Sequence, residues 1–504
     1  MGGGVLEEAE QVRVQALSRL DSGEQDRLGQ FFTPHLAAEL VAAMPRLPHG
    51  DGVIRVLDPG AGSGMLMAAV INRVITEQPG RPLHVTAVEV DESLLPALAE
   101  TAGLCQTYAA ERGTEVSVDI RREDLLDSVA GVFPQDDLLG SYDLVIMNPP
   151  YAKMSVTSPY RKALSFSGVD CPNLYAAFVV IGLRHLSDMG QLVAITPRSF
   201  ANGPYFEQFR KFLLATLTLD RVHTFESRST VFSDTGVLQE NIIFSGTKHG
   251  EADSVRFTVS RGHTDEASEH IVGYDQVVRP DDPHKFLWIT ADRDDQSAAR
   301  LMSTMSCGLP DLGLKVSTGR VVDFRAKGNL RAVPAEGNLP LIYPVNLRGG
   351  VIEWPQVTKK AQGYAIVNDE DRKLLMPSGY YVVIKRFSAK EERRRIVAAV
   401  WDPVYNGDID VAFENHLNVI HDAGRGLGRA VAIGLSIWLN SSVVDRYFRT
   451  FSGHTQVNAT DLRALRYPPL DILHELGSRG QTRLDAQDEL DKWVEKIVLP
   501  EVAA

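Results

Sequence analysis

Apolar and polar positions in the first half of the chain alternate between two rhythms. Short apolar runs have the length of buried strands: VIRVLDPG from Val53, LHVTAVEVD from Leu83, VSVDIRRED from Val116 and YDLVIMN from Tyr142. Between them, GMLMAAVINRVITEQ and ESLLPALAETAGLCQTYAAERG repeat apolar residues at i, i+3 and i+4, the spacing of a helix face. GQLVAITP from Gly190 and ENIIFSG from Glu240 predict two further strands. Strands alternating with helices predict an α/β domain built on a doubly wound, parallel sheet. Residues 6–19 predict a helix of mixed charge ahead of it.

The texture changes after Gly246. Residues 249–295 are polar, with clusters such as RPDDPHK, and read as a connection. From Leu312 come short strand-like runs broken by Gly, Pro and Asn: KVSTGRVVDF, LPLIYPVNLRGGVIEW, YYVVIKRF and RRIVAAVW. AVAIGLSIWLNSSVVDRYFRTF and QTRLDAQDELDKWVEKIV then return to helical spacing. Three parts are expected: a catalytic-type domain over 1–250, a connecting region over 251–311, and a mixed α+β domain over 312–504. At 504 residues the chain is long enough for more than one core.

Charge alters this picture in one place. The whole chain carries 65 Asp plus Glu against 52 Lys plus Arg, which by itself argues against a nucleic-acid partner. From Leu312 to Ala399, however, sixteen Lys plus Arg face eight Asp plus Glu. Local distribution, not net charge, makes an electrostatic footprint. Three dispersed cysteines, Cys105, Cys171 and Cys307, suggest a reducing compartment and no disulfide framework. No run of eighteen apolar residues and no signal-like start suggests a membrane route, so a cytoplasmic location is expected.

Candidate chemistry gathers at the ends of the predicted strands. Asp58 ends the first, and Gly60, Gly62 and Gly64 follow at every second position. Such a turn lets a ligand approach the backbone and offers helix N-terminal amides. Taken alone it could bind a dinucleotide, a nucleoside or nothing; it lacks GxGxxG spacing and the GK[ST] of a phosphate loop. Glu89 ends the second strand, where an acid can accept both ribose hydroxyls. Asp124 follows the third, where a carboxylate can accept from an adenine amino group. Asn148 ends the fourth and opens Asn148-Pro149-Pro150-Tyr151, whose prolines remove two backbone donors and fix two φ angles. No metal-ligand spacing or nuclease constellation is present: Pro280-Asp281 lacks a matching D/E-x-K.

This ordered set resembles the gamma class of S-adenosylmethionine-dependent N6-adenine DNA methyltransferases, including PstI-type modification methylases. LGQFFTP, from Leu28, is similar to the family's first motif, which would place Gln30, Phe31, Thr33 and Pro34 against the methionine part of S-adenosyl-L-methionine. VLDPGAGSG resembles its cofactor loop, with Asp58, Gly60, Gly62 and Gly64. VEVD resembles the ribose end, with Glu89 and Val90, and REDLLD the adenine end, with Asp124 and Leu125. NPPY is similar to the catalytic motif, with Asn148 also on the cofactor side. NLYAAFVV, GQLVAITPRSF and STVFSDTGVLQENIIF look like its later sheet motifs. The resemblance implies a Rossmann-like methyltransferase sheet followed by a target-recognition domain. Asn148 and the Pro149 carbonyl would hold the adenine N6 protons. Tyr151 would stack on a flipped base, with Phe232 opposite.

A partner of double-stranded DNA is implied, with a separate restriction endonuclease cleaving unmodified sites. KRFSAKEERRR offers Lys385, Arg386, Arg393, Arg394 and Arg395 as phosphate contacts; a solvated basic hairpin is the alternative. FENHLNVIH and WLNSSVVDRYFRTFSGHTQVNATDLRALRYP resemble the family's recognition region. Two other functions stay open: an RNA or protein-glutamine methyltransferase, and a non-catalytic DNA-binding homologue.

Overall fold

The computed structural model describes residues 4–19, 32–127, 141–202, 204–225, 241–260, 267–289, 293–332, 337–388, 392–452, 455–478, 483–484 and 486–502. Two compact units divide the chain, Met1–Ala291 and Asp292–Ala504.

The first unit is built on nine strands: β1 (Ile54–Pro59), β2 (Leu83–Val88), β3 (Val116–Arg121), β4 (Tyr142–Met147), β5 (Leu186–Pro197), β6 (Leu217–Phe225), β7 (Asn241–Lys248), β8 (Ser254–Ser260) and β9 (Ser268–Gly273). Their order is β3-β2-β1-β4-β5-β7-β6-β8-β9. β3, β2, β1, β4 and β5 run parallel, β7 is antiparallel to both neighbours, and β9 is antiparallel to β8. The sheet is therefore mixed, with the expected parallel set on one side. Order reverses between β1 and β4, so their carboxyl ends splay into a crevice, the usual ligand position in such sheets.

The helices are α1 (Val5–Leu17), α2 (His35–Ala43), α3 (Met65–Glu77), α4 (Leu95–Ala110), α5 (Pro159–Phe166), α6 (Leu174–His185) and α7 (Glu207–Thr216). Both faces of the sheet are covered, which is why β4 reads as an unbroken apolar run. Its residues alternate between two cores. Leu144 and Ile146 join the cluster with Val41, Met67 and Val70; Val145 and Met147 join the one with Phe178, Ile181 and Leu183. Each such fully buried aliphatic side chain contributes roughly 1.5–3 kcal/mol. α1 buries Val5, Leu6 and Ala9 in the first of these clusters.

Two expectations are corrected here. Residues 254–260 and 268–273 extend the sheet as β8 and β9, so the polar stretch after 250 is not simply a connection. Its polarity reflects position: β9 is an edge strand, with Ser268, Glu269 and Ile271 exposed. NLYAAFVV is not a strand but the start of α6. Its continuous burial made a buried helix look like a buried strand.

The second unit holds α8 (Arg293–Thr304), two sheets and further helices. The strands are β10 (Lys315–Thr318), β11 (Leu330–Arg331), β12 (Leu339–Ile342), β13 (Leu347–Arg348), β14 (Val351–Ile352), β15 (Gly363–Tyr364), β16 (Leu375–Met376), β17 (Tyr381–Lys385), β18 (Ala398–Trp401), β19 (Val411–Phe413) and β20 (Leu417–His421). One sheet runs β10-β20-β17-β18-β14-β13, the other β11-β15-β12-β19-β16. Tyr381, Val383, Trp401, Phe413 and Val419 form the main core. The helices are α9 (Arg429–Leu439), α10 (Ser442–Phe451), α11 (Ala459–Ala464), α12 (Leu470–Ser478) and α13 (Gln487–Val502). The single helical run expected over 430–451 is two helices. They part at Asn440 and Ser441, and the Ser441 hydroxyl caps the second by accepting from the Val444 amide. α9 and α12 pack on glycine: a Cβ on Gly434 would lie 1.9 Å from the Leu473 carbonyl oxygen.

Candidate active site

A cavity of about 600 Å³ opens at the carboxyl ends of β1, β2, β3 and β4. Gly60, Gly62 and Gly64 all have positive φ, as the tight turn requires. Gly64 is also closely packed: a Cβ there would press on the side-chain ends of Met67, Leu98 and Thr101 at 2.9–3.1 Å. The turn is tied to the end of β2. The Gly60 and Ala61 amides both donate to the Val88 carbonyl, at 2.8 and 2.9 Å. The Gly62 amide donates to Glu89 Oε2 at 2.8 Å, and the Asp91 amide to Oε1 at 2.9 Å. Burial raises the Glu89 carboxyl pKa above its ordinary value; the Asp91 and Gly62 amides pull the other way.

Asp58 lies under the turn and does not line the cavity. Neither of its buried oxygens has a full hydrogen bond from the described residues. Burial first, and then the nearby Glu89 charge, push its pKa up to about 8, with the Met67 amide opposing. Asp124 does line the cavity. Its Oδ1 accepts from the Leu126 amide at 3.0 Å and its Oδ2 from the Tyr160 hydroxyl at 3.3 Å. Phe32, Thr33, Leu174 and Phe178 add apolar and hydroxyl wall.

Among the described residues the cavity wall carries five acids, Glu89, Asp91, Glu92, Glu123 and Asp124, and no Lys or Arg. Of these, only Glu92 has an ion-pair partner among the described residues, Arg122 at 2.7 Å. Such a wall repels phosphates and suits a nucleoside that carries positive charge. Ser63, Asp91, Glu92, Glu123 and Phe178 were missed by sequence reasoning. The run VEVDES already placed further acids after Glu89, but Phe178 looked like part of a strand.

Asn148 stands at the mouth between two anchors. Its Nδ2 donates to the Thr33 hydroxyl at 3.0 Å, and its Oδ1 accepts from the Tyr151 hydroxyl at 3.2 Å. The Pro149 carbonyl accepts no hydrogen bond from the described residues. The loop after it is pinned to the start of α6. The Met154 amide donates to the Pro172 carbonyl at 2.8 Å and the Leu174 amide to the Ala152 carbonyl at 2.9 Å. Tyr151 is 5% exposed and packs edge-on against Tyr175, with ring centroids 6.3 Å apart. In this conformation its hydroxyl props Asn148, while its ring belongs to the core. Burial pushes its phenol pKa well above the ordinary range, so it stays protonated and able to donate.

The structure thus brings together Thr33, Gly60, Gly62, Glu89, Val90, Asp124, Leu125 and Asn148 around one cavity. Pro34 caps α2 beside it. Gln30, Phe31 and Phe232 lie outside the described residues.

Over 94% of its length the chain is 40% identical to the type II methyltransferase M.BsuBI of Bacillus subtilis, covering 95% of that protein. It belongs to the type II DNA methyltransferases. It is also 36% identical to the type II methyltransferase M.PstI of Providencia stuartii, over 94% of both chains. Residues 106–232 match the family model of the Eco57I restriction-modification methylase. The fold is shared with the Type IIL restriction-modification enzyme MmeI, solved in complex with DNA. That likeness has a TM-score of 0.51 at 12% identity and covers 96% of this chain and 75% of the other.

The cofactor of this type II methyltransferase is S-adenosyl-L-methionine, and the cavity fits it. Its acidic wall suits a sulfonium, and Gly60, Gly62, Glu89 and Asp124, the residues expected to hold the cofactor, all line it.

The basic candidates of the second unit separate into surface and interior. Arg393 is exposed. Lys385 is paired with Glu392 at 2.6 Å. Arg394 is half-buried and donates to the Ser441 carbonyl at 2.8 Å and to the Gln487 side chain. Arg395 is 1% exposed, donates to Ser452 Oγ at 3.1 Å and lies over the Phe448 ring. Arg394 and Arg395 therefore act as internal fasteners, correcting their expected place on the surface. The bend leading into β18 leaves Arg393 outside and turns Arg395 inward, a difference that a run of three arginines conceals.

Proposed function

We propose that this methyltransferase modifies N6 of adenine in duplex DNA. The observation that carries the reading is that Asn148 lines the cofactor cavity, fixed by Thr33 and Tyr151, while the adjacent Pro149 carbonyl accepts no hydrogen bond from the described residues. The exocyclic nitrogen of adenine is a poor nucleophile because its lone pair is delocalised into the ring. Two acceptors on its two protons localise that pair and favour a tetrahedral nitrogen. Pro149 and Pro150 hold the carbonyl still, and Thr33 and Tyr151 hold the amide, so the acceptors are set before substrate arrives. S-adenosyl-L-methionine supplies the methyl group as a sulfonium electrophile. No base need remove an N6 proton beforehand; it can leave to water after the nitrogen becomes cationic. Reaching N6 requires the base to leave the helix stack.

The second unit would recognise the DNA, with the exposed Arg393 among its phosphate contacts. The chain would work in the cytoplasm beside a separate endonuclease whose sites it protects. An RNA or protein-glutamine substrate is disfavoured by the near full-length match to type II methyltransferases.

The test is transfer of labelled methyl groups to duplexes, followed by nucleoside analysis. N6-methyladenine is expected, and label confined to RNA, protein or cytosine overturns the reading. Asn148→Ala should lower kcat by on the order of 10²-fold or more while cofactor affinity, by titration calorimetry, stays within about threefold.

A further inference from the structure

Three sequence-distant stretches meet in the second unit. They are Lys385–Ser388 at the end of β17, Glu414–His416 before β20, and Thr455–Val457 before α11. The meeting is held by backbone. The Arg386 amide donates to the His416 carbonyl at 2.9 Å, the Val457 amide to the Arg386 carbonyl at 2.7 Å, and the Ser388 amide to the Thr455 carbonyl at 3.0 Å. The buried Asn418 Nδ2 donates to the Val457 carbonyl at 2.7 Å. Glu414, 1% exposed, holds His416 twice, through its backbone amide at 2.9 Å and through Nδ1.

The side chains on this rigid corner are Arg386, Phe387, Asn415, His416 and Gln456. Phe387 is 39% exposed and the His416 side chain 46%, with their rings 4.9 Å apart. The Arg386 guanidinium donates to the Asn415 carbonyl at 3.1 Å and to Gln456 Oε1 at 3.5 Å, and has no carboxylate partner among the described residues. The Gln456 Nε2, the Asn415 side-chain amide and His416 Nε2 likewise have no partner among the described residues. These groups are open to solvent, so water meets them in the free protein, and the stiff support keeps them in place for a ligand that would displace that water.

We propose that this corner reads the major-groove edge of a guanine-containing base pair in the DNA that the chain methylates. The inference rests on the reading of the second unit as the DNA-recognising part. Residue types favour base edges over phosphates: one cation stands among amides, an imidazole and an aromatic ring, whereas phosphate grips collect Lys and Arg. The base follows from donor and acceptor accounting. A guanidinium has no acceptor, so the Gln456 atom facing it is the oxygen, and the amide's NH₂ is what remains to be offered. With Oε1 turned toward the guanidinium, Arg386 and Gln456 together present chiefly donors. In the major groove guanine shows two acceptors, O6 and N7, while adenine shows one acceptor and one donor. A pair rich in donors matches the two acceptors of guanine better than the acceptor and donor of adenine.

The experiment measures binding of native protein, with cofactor, to duplexes carrying its methylation site. Each guanine is replaced in turn by 7-deazaguanine, which removes N7 and keeps base pairing. The same series is run on Gln456→Ala and Arg386→Lys. One position is expected to weaken native binding by about tenfold, and that loss should shrink to near unity in either variant that melts like the native protein. If no 7-deaza position weakens the native protein, the inference is overturned, whatever the variants do. It is equally overturned if folded variants keep the full sensitivity. Failure of the native protein to methylate adenine would sink the proposed function. The binding series would still judge this corner.

Discussion

Thr33 illustrates how much a single hydroxyl can decide. It lines the cofactor cavity and also receives Asn148 Nδ2, so it stands in both halves of the reaction. Thr33→Val keeps the volume and removes the anchor. We expect kcat to fall by about 3- to 10-fold, the worth of one hydrogen bond, with cofactor affinity nearly unchanged and Thr33→Ser restoring the rate. Equal loss in kcat and cofactor binding would assign Thr33 to the cofactor alone. Asp58 makes a different prediction. Its folded pKa of about 8 lies above the ordinary 3.8, so between these values the folded protein keeps a proton that the unfolded chain has lost. This contribution to stability therefore falls as pH rises from about 4 to about 8. Thermal unfolding across that range should show a shallower decline for Asp58→Asn. Both residues were legible as members of a motif. The contact between Thr33 and Asn148, 115 positions apart, was not, because spacing along a chain says nothing about side chains that meet through a fold.

Elements were legible where one environment governs a whole segment. β1, β2 and β4 are buried on both faces and read as apolar runs, and α3 and α4 have the helical period. α6 failed that test because it is buried all round, leaving no polar face to mark its period. The contact of α9 with α12 was equally hidden, since a glycine inside a helix pattern looks like a weakness. Here it is the condition for close approach. Gly434→Ala should force the helices apart and cost about 1–3 kcal/mol, read as a lowered melting transition of the second unit. Cofactor binding measured below that transition should stay native. A native melting profile would mean the helix pair can separate freely.

At the scale of the whole molecule, charge is partitioned. The chain is acidic, yet the block from Leu312 to Ala399 is basic. The sequence-level count overstated what that block can offer to DNA, because Arg395 is interior and Lys385 is neutralised by Glu392. Arg393 remains exposed. Arg393→Ala should weaken DNA binding evenly across sequences and lower the slope of log affinity against log salt by about 0.9, as loss of one phosphate contact does. An unchanged slope would remove Arg393 from the interface.

The acidic wall of the cofactor cavity bears on turnover as well as on binding. Five carboxyl side chains, with no basic residue among the described lining, hold a cation more firmly than the same molecule stripped of its charge. Giving up a methyl group turns a sulfonium into a neutral thioether. The pocket that gathers the reagent thus holds the spent form less firmly, so the chemistry itself favours the exchange that begins the next cycle.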